Sequence, residues 1–422
     1  MKKYFLLFVL SISIFFLHAL ITKHAIYGDG NGYYSYTNTL YFQHNLNFDP
    51  IYNYLGNFPG KTGTFSRIFW DTNYTKSGVI RQNPYLIGTG VIWLPSMALI
   101  SAINKIFSLN AIRFNLIYEL GPGLMGILLM LSGLYFLEKY LLNFFSKKAV
   151  FWTILTTFFA SNVIYYTAFE PALSHEPIFF LASFMLFWTY KFKPNAKNIF
   201  IFGLLTGFFA IIRIADTIVL IPIFYQVLQR RPKFKLLPLC LAGLAIAVSP
   251  QIVTQYFMYG NILSNPYFTG QSGVWQFSLA HLFDHLFSPL RGLFLWSPVF
   301  LLGFWGLVKS KSKIFLIALI TLWLVSSSWS GSLSAGYGQR YSFCAIPLLT
   351  FGLAYLINRW KVKKALLIFS IFSLLNLNLL TTFYLHKDRL LEPGSVPLKE
   401  FVSLQIDNPK QVFGYLKSII RY

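Results

Sequence analysis

The chain has 422 residues, of which 55% are hydrophobic, 19% aromatic and only 11% charged. A soluble domain carries about 25% charged residues, so a water-soluble globular class is excluded. The net charge of +22 does not signal nucleic acid, because the lysines and arginines fall in short clusters between apolar runs, the orientation signal of a polytopic membrane protein.

Met1-Lys2-Lys3 followed by the run 4–20 has the layout of a signal peptide. The run is longer than an ordinary signal core, and no small-x-small cleavage site precedes Lys23-His24. It is read as an uncleaved first span, about 4–22, with the N-terminus in the cytoplasm. Residues 23–84 then form an outer loop rich in Asn, Tyr, Gly and Asp. It holds Asp29, Asp49, Asp71, Arg67 and Arg81, and a loop of that length points to function. Residues 85–107 are apolar but broken by Gly88, Gly90 and Pro95. They are expected on the outer surface, because counting them as a span would invert every later basic cluster.

Further spans are expected at 113–137, 149–167, 177–190, two within 198–228, and at 236–257, 291–308, 314–328, 341–358 and 365–384. The fold class is therefore an all-α, polytopic transmembrane helical bundle of about eleven spans, with a long first outer loop carrying interfacial helices. Residues 1–384 form one transmembrane module, outer loop 23–112 included, and 385–422 form a short outer C-terminal tail. Glu138 is the only carboxylate among the basic, cytoplasmic segments. Carboxylate chemistry is thus expected on the outer half. Cys240 and Cys344 lie apart inside apolar segments and read as small core residues, with no disulfide or zinc spacing. No fixed-period repeat is evident.

Asp29 is the first acid of the chain and sits in Gly28-Asp29-Gly30-Asn31-Gly32-Tyr33-Tyr34. A carboxylate there suits a general base, and the glycines let a ligand approach closely; the plainer reading is a polar turn capping a helix. Glu170, His175 and Glu176 cluster in the next outer loop. Ser174-His175-Glu176-Pro177 also reads as a helix N-terminus, which accounts for Glu176 but not for Glu170 or His175. A divalent cation on these residues is an option that the spacing leaves open, and no cofactor is certain. Arg213 and Asp216 lie within an apolar run, either as a functional pair or as an i, i+3 ion pair. Arg291 and Arg340 begin later spans, as interfacial anchors or, with Arg213, as ligands of a phosphate.

Taken together, the stretches Gly28–Tyr34, Asn83-Pro84-Tyr85-Leu86-Ile87-Gly88, Leu173-Ser174-His175-Glu176, Ser288-Pro289-Leu290-Arg291-Gly292 and Tyr337-Gly338-Gln339-Arg340-Tyr341 resemble the GT-C superfamily of membrane glycosyltransferases. The likeness is to its bacterial protein-mannosyltransferase-like and aminoarabinose-transferase-like branch, over roughly residues 4–360. The resemblance implies a polyprenyl-phosphate-linked sugar as donor and a lipid, glycan or protein acceptor, met at the outer face of a bacterial inner (plasma) membrane. It implies that Asp29 is the base and that Arg213, Arg291 and Arg340 hold the lipid phosphate. Some relatives carry two adjacent acids where this chain has Asp29-Gly30-Asn31. Tyr33, Tyr34, Glu170, His175 and Glu176 are the candidate substrate-binding residues, with the tyrosines, and Trp329, stacking on the sugar. The alternative is a transporter or flippase of lipid-linked saccharide that uses Arg213 and Asp216 as an intramembrane relay.

Overall fold

The structure, a computed structural model, describes residues 2–57, 83–262, 274–334, 336–391 and 396–420. Arg67, Asp71 and Arg81 lie outside the described residues. In chain order the helices begin with α1 (Lys2–Thr22), α2 (Gly30–Gln43), α3 (Asp49–Asn57), α4 (Gly88–Ile106), α5 (Leu116–Leu141), α6 (Lys147–Phe159), α7 (Val163–Ala168) and α8 (His175–Tyr190). Next come α9 (Ala196–Ile212), a 3-10 turn over Ile214–Leu220, α10 (Ile221–Gln229), α11 (Leu237–Tyr259), α12 (Leu279–Phe287) and α13 (Leu293–Trp296). The series closes with α14 (Val299–Ser310), α15 (Lys313–Ser327), α16 (Ile346–Arg359), α17 (Val362–Leu385), α18 (Lys387–Leu391) and α19 (Leu398–Ile420). Among the described residues β-pairing is confined to an isolated bridge between Trp275 and Trp329.

Among the described residues six helices are long and apolar enough to cross a membrane: Lys2–Thr22, Gly88–Ile106, Leu116–Leu141, Phe234–Tyr259, Arg340–Arg359 and Val362–Leu385. Four shorter apolar helices accompany them. The described residues are thus all-helical apart from the Trp275–Trp329 bridge, and the apolar helices among them suggest a membrane protein. Residues 85–107, expected on the surface, contain one of the six, α4. Other expected spans are interrupted. The run 149–167 breaks between α6 and α7, and the carbonyls of Phe159 and Ser161 released there are taken by the Asn376 amide, each at 2.9 Å. A broken helix in an apolar surrounding needs such partners. The run 198–228 breaks at Arg213, whose backbone is extended.

The chain divides into two compact units, Met1–Leu137 with Tyr166–Gly273, and Glu138–Tyr165 with Val274–Tyr422. In the first, α9 and α11 meet through glycines: a Cβ on Gly203 would overlap the Cys240 carbonyl, and one on Gly243 the carbonyl of Phe200. Small residues at such a crossing let two backbones pack closely. The stretch expected as the first outer loop begins with a helix, and residues 30–39 of α2 are all buried. Its aromatic side chains form a core with α3 and α4, in which Tyr36 meets Phe48 edge-on at 5.2 Å and Tyr33 meets Trp93 at 6.2 Å. Two of its hydroxyls are satisfied internally: Ser35 donates to the Asn31 carbonyl at 2.8 Å and Thr37 to the Gly90 carbonyl at 2.9 Å. In the second unit α14 and α16 approach through Gly306 and Gly352, and Thr157 of α6 lies 3.3 Å from Thr350 of α16.

Candidate functional site

Gly28 adopts a left-handed φ of 49°, a conformation glycine takes without cost. It turns the chain from α1 into α2 and puts Asp29 just before the first helical residue. The Asp29 carbonyl accepts from the Gly32 N–H at 3.0 Å, but its side chain makes no capping bond. The half-buried carboxylate accepts the Tyr85 hydroxyl instead, at 3.0 Å on Oδ1.

Tyr85 is held in place from several sides. Its backbone N–H donates to Asn83 Oδ1 at 3.1 Å, and the Asn83 amide donates to the Gly32 carbonyl at 2.9 Å. The Tyr36 hydroxyl donates to the Tyr85 carbonyl at 3.0 Å. A Cβ on Gly32 would overlap the Tyr85 ring, and one on Gly30 would overlap the Ala172 carbonyl. The sequence pattern predicts that the glycines around Asp29 leave room for a substrate. At Gly30 and Gly32 that room is filled by the protein itself.

The Ala172–Ser174 stretch therefore runs against the first turn of α2. It is joined there a second time, because Tyr33 donates to Ser174 Oγ at 3.1 Å. The same Ser174 oxygen accepts from Arg213 Nη1 at 3.3 Å, while Arg213 Nε donates to Asp216 Oδ2 at 2.8 Å. The i, i+3 ion pair is thus formed, with Asp216 almost wholly buried. The unit links Asp216, Arg213, Ser174 and Tyr33 in series, with the Tyr33 ring 5.0 Å from that of Tyr85.

The remaining candidates of this unit divide. Tyr33 and Tyr34 are buried, and Tyr34 accepts from the Asn38 amide at 3.3 Å; neither ring lies open for a sugar to stack on. Glu176 stands in the first turn of α8, and its Oε2 accepts the Leu173 N–H at 3.2 Å. His175 is buried with its ring 4.9 Å from Tyr166. Glu170 is half-buried and close enough to act on Tyr27, whose hydroxyl is held well above its ordinary range mainly by burial and further by Glu170 and Glu119. Among the described residues no three His, Cys, Asp or Glu side chains gather to hold a metal.

Sequence reasoning does not single out Tyr85, Ser174 or Glu119 as individuals. Tyr85 and Ser174 fall within the stretches quoted above, so a signal exists. Glu119 accepts the Ala25 N–H at 3.1 Å and the Tyr54 hydroxyl at 3.4 Å. It braces the exit of α1 against α3 from the start of α5.

Arg291 and Arg340 belong to the second unit. Arg291 is buried, donates to the carbonyls of Leu290 and Leu390, and lies 5.8 Å from the Trp296 ring. Arg340 Nη2 donates to Ser334 Oγ at 2.8 Å and to the Tyr341 hydroxyl at 3.3 Å. The segment that carries Arg340 is pinned by α12: His285 Nε2 and Ser342 Oγ are 2.9 Å apart, and the Gln339 amide donates to the His285 carbonyl at 3.5 Å.

No family model matches the chain, and neither a curated protein nor a solved structure does.

Proposed function

We propose that the protein is an integral-membrane glycosyltransferase that moves a sugar from a polyprenyl-phosphate-linked donor to an acceptor on the outer face of the membrane. One relationship supports the reading most. Asp29 is a half-buried carboxylate held in a fixed direction by Tyr85, immediately before the short helix that Ser174 ties to Arg213. A fixed carboxylate and a cation braced by the same helix are what a transfer from a lipid phosphate needs. The resemblance of the Gly28–Tyr34 and Asn83–Gly88 stretches to GT-C enzymes points the same way.

In this proposal the acceptor oxygen or nitrogen attacks the anomeric carbon and Asp29 takes its proton. The bond from that carbon to the phosphate oxygen breaks, and its electron pair leaves with the phosphate. A single displacement inverts the configuration. Arg213 is the group proposed to stabilise the leaving phosphate as charge develops. The proposal rests on the first unit alone. In this proposal the N-terminus is cytoplasmic, a reading that the basic clusters support, and the reaction takes place at the outer face of a bacterial inner membrane, as the GT-C resemblance implies.

The test is to incubate membranes containing the wild-type chain or Asp29→Asn with polyprenyl-phosphate sugars and to follow sugar transfer and donor cleavage by mass spectrometry. Loss of both in the variant is expected. Full transfer by Asp29→Asn would remove Asp29 from the chemistry. Uptake of intact lipid-linked sugar into sealed vesicles, with no cleavage, would favour the carrier instead.

A further inference from the structure

The C-terminal tail is expected from the sequence as a short outer appendage, yet 23 of its residues form α19. At 100° per residue, this helix has three sectors. The first faces α17. Gln405 Oε1 accepts from the Asn378 amide at 3.0 Å and from Thr382 Oγ1 at 3.2 Å. The Asn408 amide donates to Asn378 Oδ1 at 2.8 Å and to Thr381 Oγ1 at 2.6 Å. Phe401, on the same side, packs 5.5 Å from Trp296. The second sector holds Leu398, Val402, Ile406 and Phe413, which are 56%, 44%, 67% and 68% exposed. The third holds Lys399, Glu400, Ser403, Asp407 and Lys410. Arg389 of α18 fixes the start of the helix through two bonds to Glu400, at 2.7 and 2.8 Å.

The contact with α17 sets the depth of α19. α17 is one of the six helices able to cross a membrane. Asn378 lies seven residues before its last residue, Leu385, which is about 10 Å along the axis. In the same turns Leu374, Leu375 and Leu377 point outward and are exposed, as lipid-facing residues are. The middle of α19 is docked at that level through side-chain amides and hydroxyls, the groups that join helices within a membrane. Its apolar sector adjoins the docked one, so Val402 and Ile406 continue the apolar surface of α17. Four charged residues between 399 and 410 and Pro409 keep the helix from spanning.

We propose that α19 lies in the plane of the membrane, with Leu398, Val402, Ile406 and Phe413 in the outermost acyl layer and the charged sector among headgroups and water. This is the arrangement of an interfacial amphipathic helix. Between residues 399 and 410 the charged sector holds two lysines and two acids, so along that stretch the lipid is engaged by its acyl chains and not by headgroup charge. The inference requires only that α17 spans, and it stands apart from the transfer reaction.

The test uses the full chain in phosphatidylcholine vesicles. In a Cys240→Ser, Cys344→Ala background, a single cysteine at Ile406, Phe413 or Asp407 carries an environment-sensitive fluorophore. Probes at Ile406 and Phe413 are expected to lose most of their emission to phosphatidylcholine with a doxyl group high on its acyl chain, and little to aqueous iodide; the probe at Asp407 is expected to do the reverse. Quenching of the Ile406 and Phe413 probes by iodide overturns the proposal. So does protection from both quenchers, which would mean that protein, such as a second copy of this chain, covers the stripe. The unsubstituted chain gives an independent reading with phosphatidylcholine bearing a diazirine on its acyl chain. Adducts are expected on both α17 and residues 398–413; adducts on α17 with none on 398–413 would sink the idea.

Discussion

Tyr85 hands its hydroxyl to Asp29 Oδ1 at 3.0 Å while its ring lies over the bare backbone of Gly32. Tyr85 and Asp29 are 56 positions apart. The carboxylate is aimed by a side chain that only a glycine at position 32 admits, and that dependence makes the site testable in parts.

Tyr85→Phe keeps the ring and removes the donor. A hydrogen bond to a charged group is worth about 1.5–3 kcal/mol, so a fall in kcat of roughly 10- to 100-fold is expected, with KM little changed and the thermal midpoint in detergent close to wild type. Unchanged kcat in Tyr85→Phe, alongside a dead Asp29→Asn, would mean that Asp29 acts without Tyr85.

Gly32→Ala tests the same contact from the other side. The added methyl collides with the Tyr85 ring, and overpacking of this kind costs about 1–3 kcal/mol. Lower stability and lower activity are expected together. Gly32→Ala combined with Tyr85→Ala should recover stability relative to Gly32→Ala alone, and no activity. A double variant less stable than Gly32→Ala alone would contradict the proposed relief of the clash.

Arg213 and Asp216 form an ion pair whose side chains are 14% and 2% exposed. Removing one partner of a buried pair costs about 3–5 kcal/mol; the partial exposure of Arg213 puts Arg213→Met at or below the lower end. Arg213→Met with Asp216→Leu should cost less than the sum of the single changes, by about 0.5–3 kcal/mol. Strict additivity in thermal unfolding would show that the pair contributes no coupling.

His285 predicts a pH dependence. Burial holds its imidazole down at about 3, against an ordinary value of about 6.5. Between those values the unfolded chain takes up a proton that the folded chain refuses, so stability falls as pH falls through this window. His285→Gln should flatten the decline of the unfolding midpoint between pH about 6.5 and about 3. An unaltered slope would show that other groups carry the whole acid response.

Composition alone sets the class of this chain, and the three-residue spacing of Arg213 and Asp216 already suggests their pairing. Asp29 stands out because acids are few. α2 is legible only as the helix that a polar turn at Asp29 would cap, because Gly30, Asn31 and Gly32 are poor helix formers and its conformation is fixed by burial against α3 and α4. Tyr85 has no signal of its own among 26 tyrosines, since its role depends on a partner far away along the chain. The apolar stripe of α19 is hidden by the charges interleaved with it, and only the hydrogen bonds of Asn378 reveal which face is docked. Charge counting puts residues 85–107 on the surface, although their length and composition suit a span as well.

Gly32 and Tyr85 share one volume. Homologous chains should therefore vary these positions jointly: wherever position 32 gains a side chain, position 85 should carry a smaller one. The carboxylate at position 29 would then have to find another donor, or work without one. Such a pair would be a marker of descent for this site, readable from alignments alone.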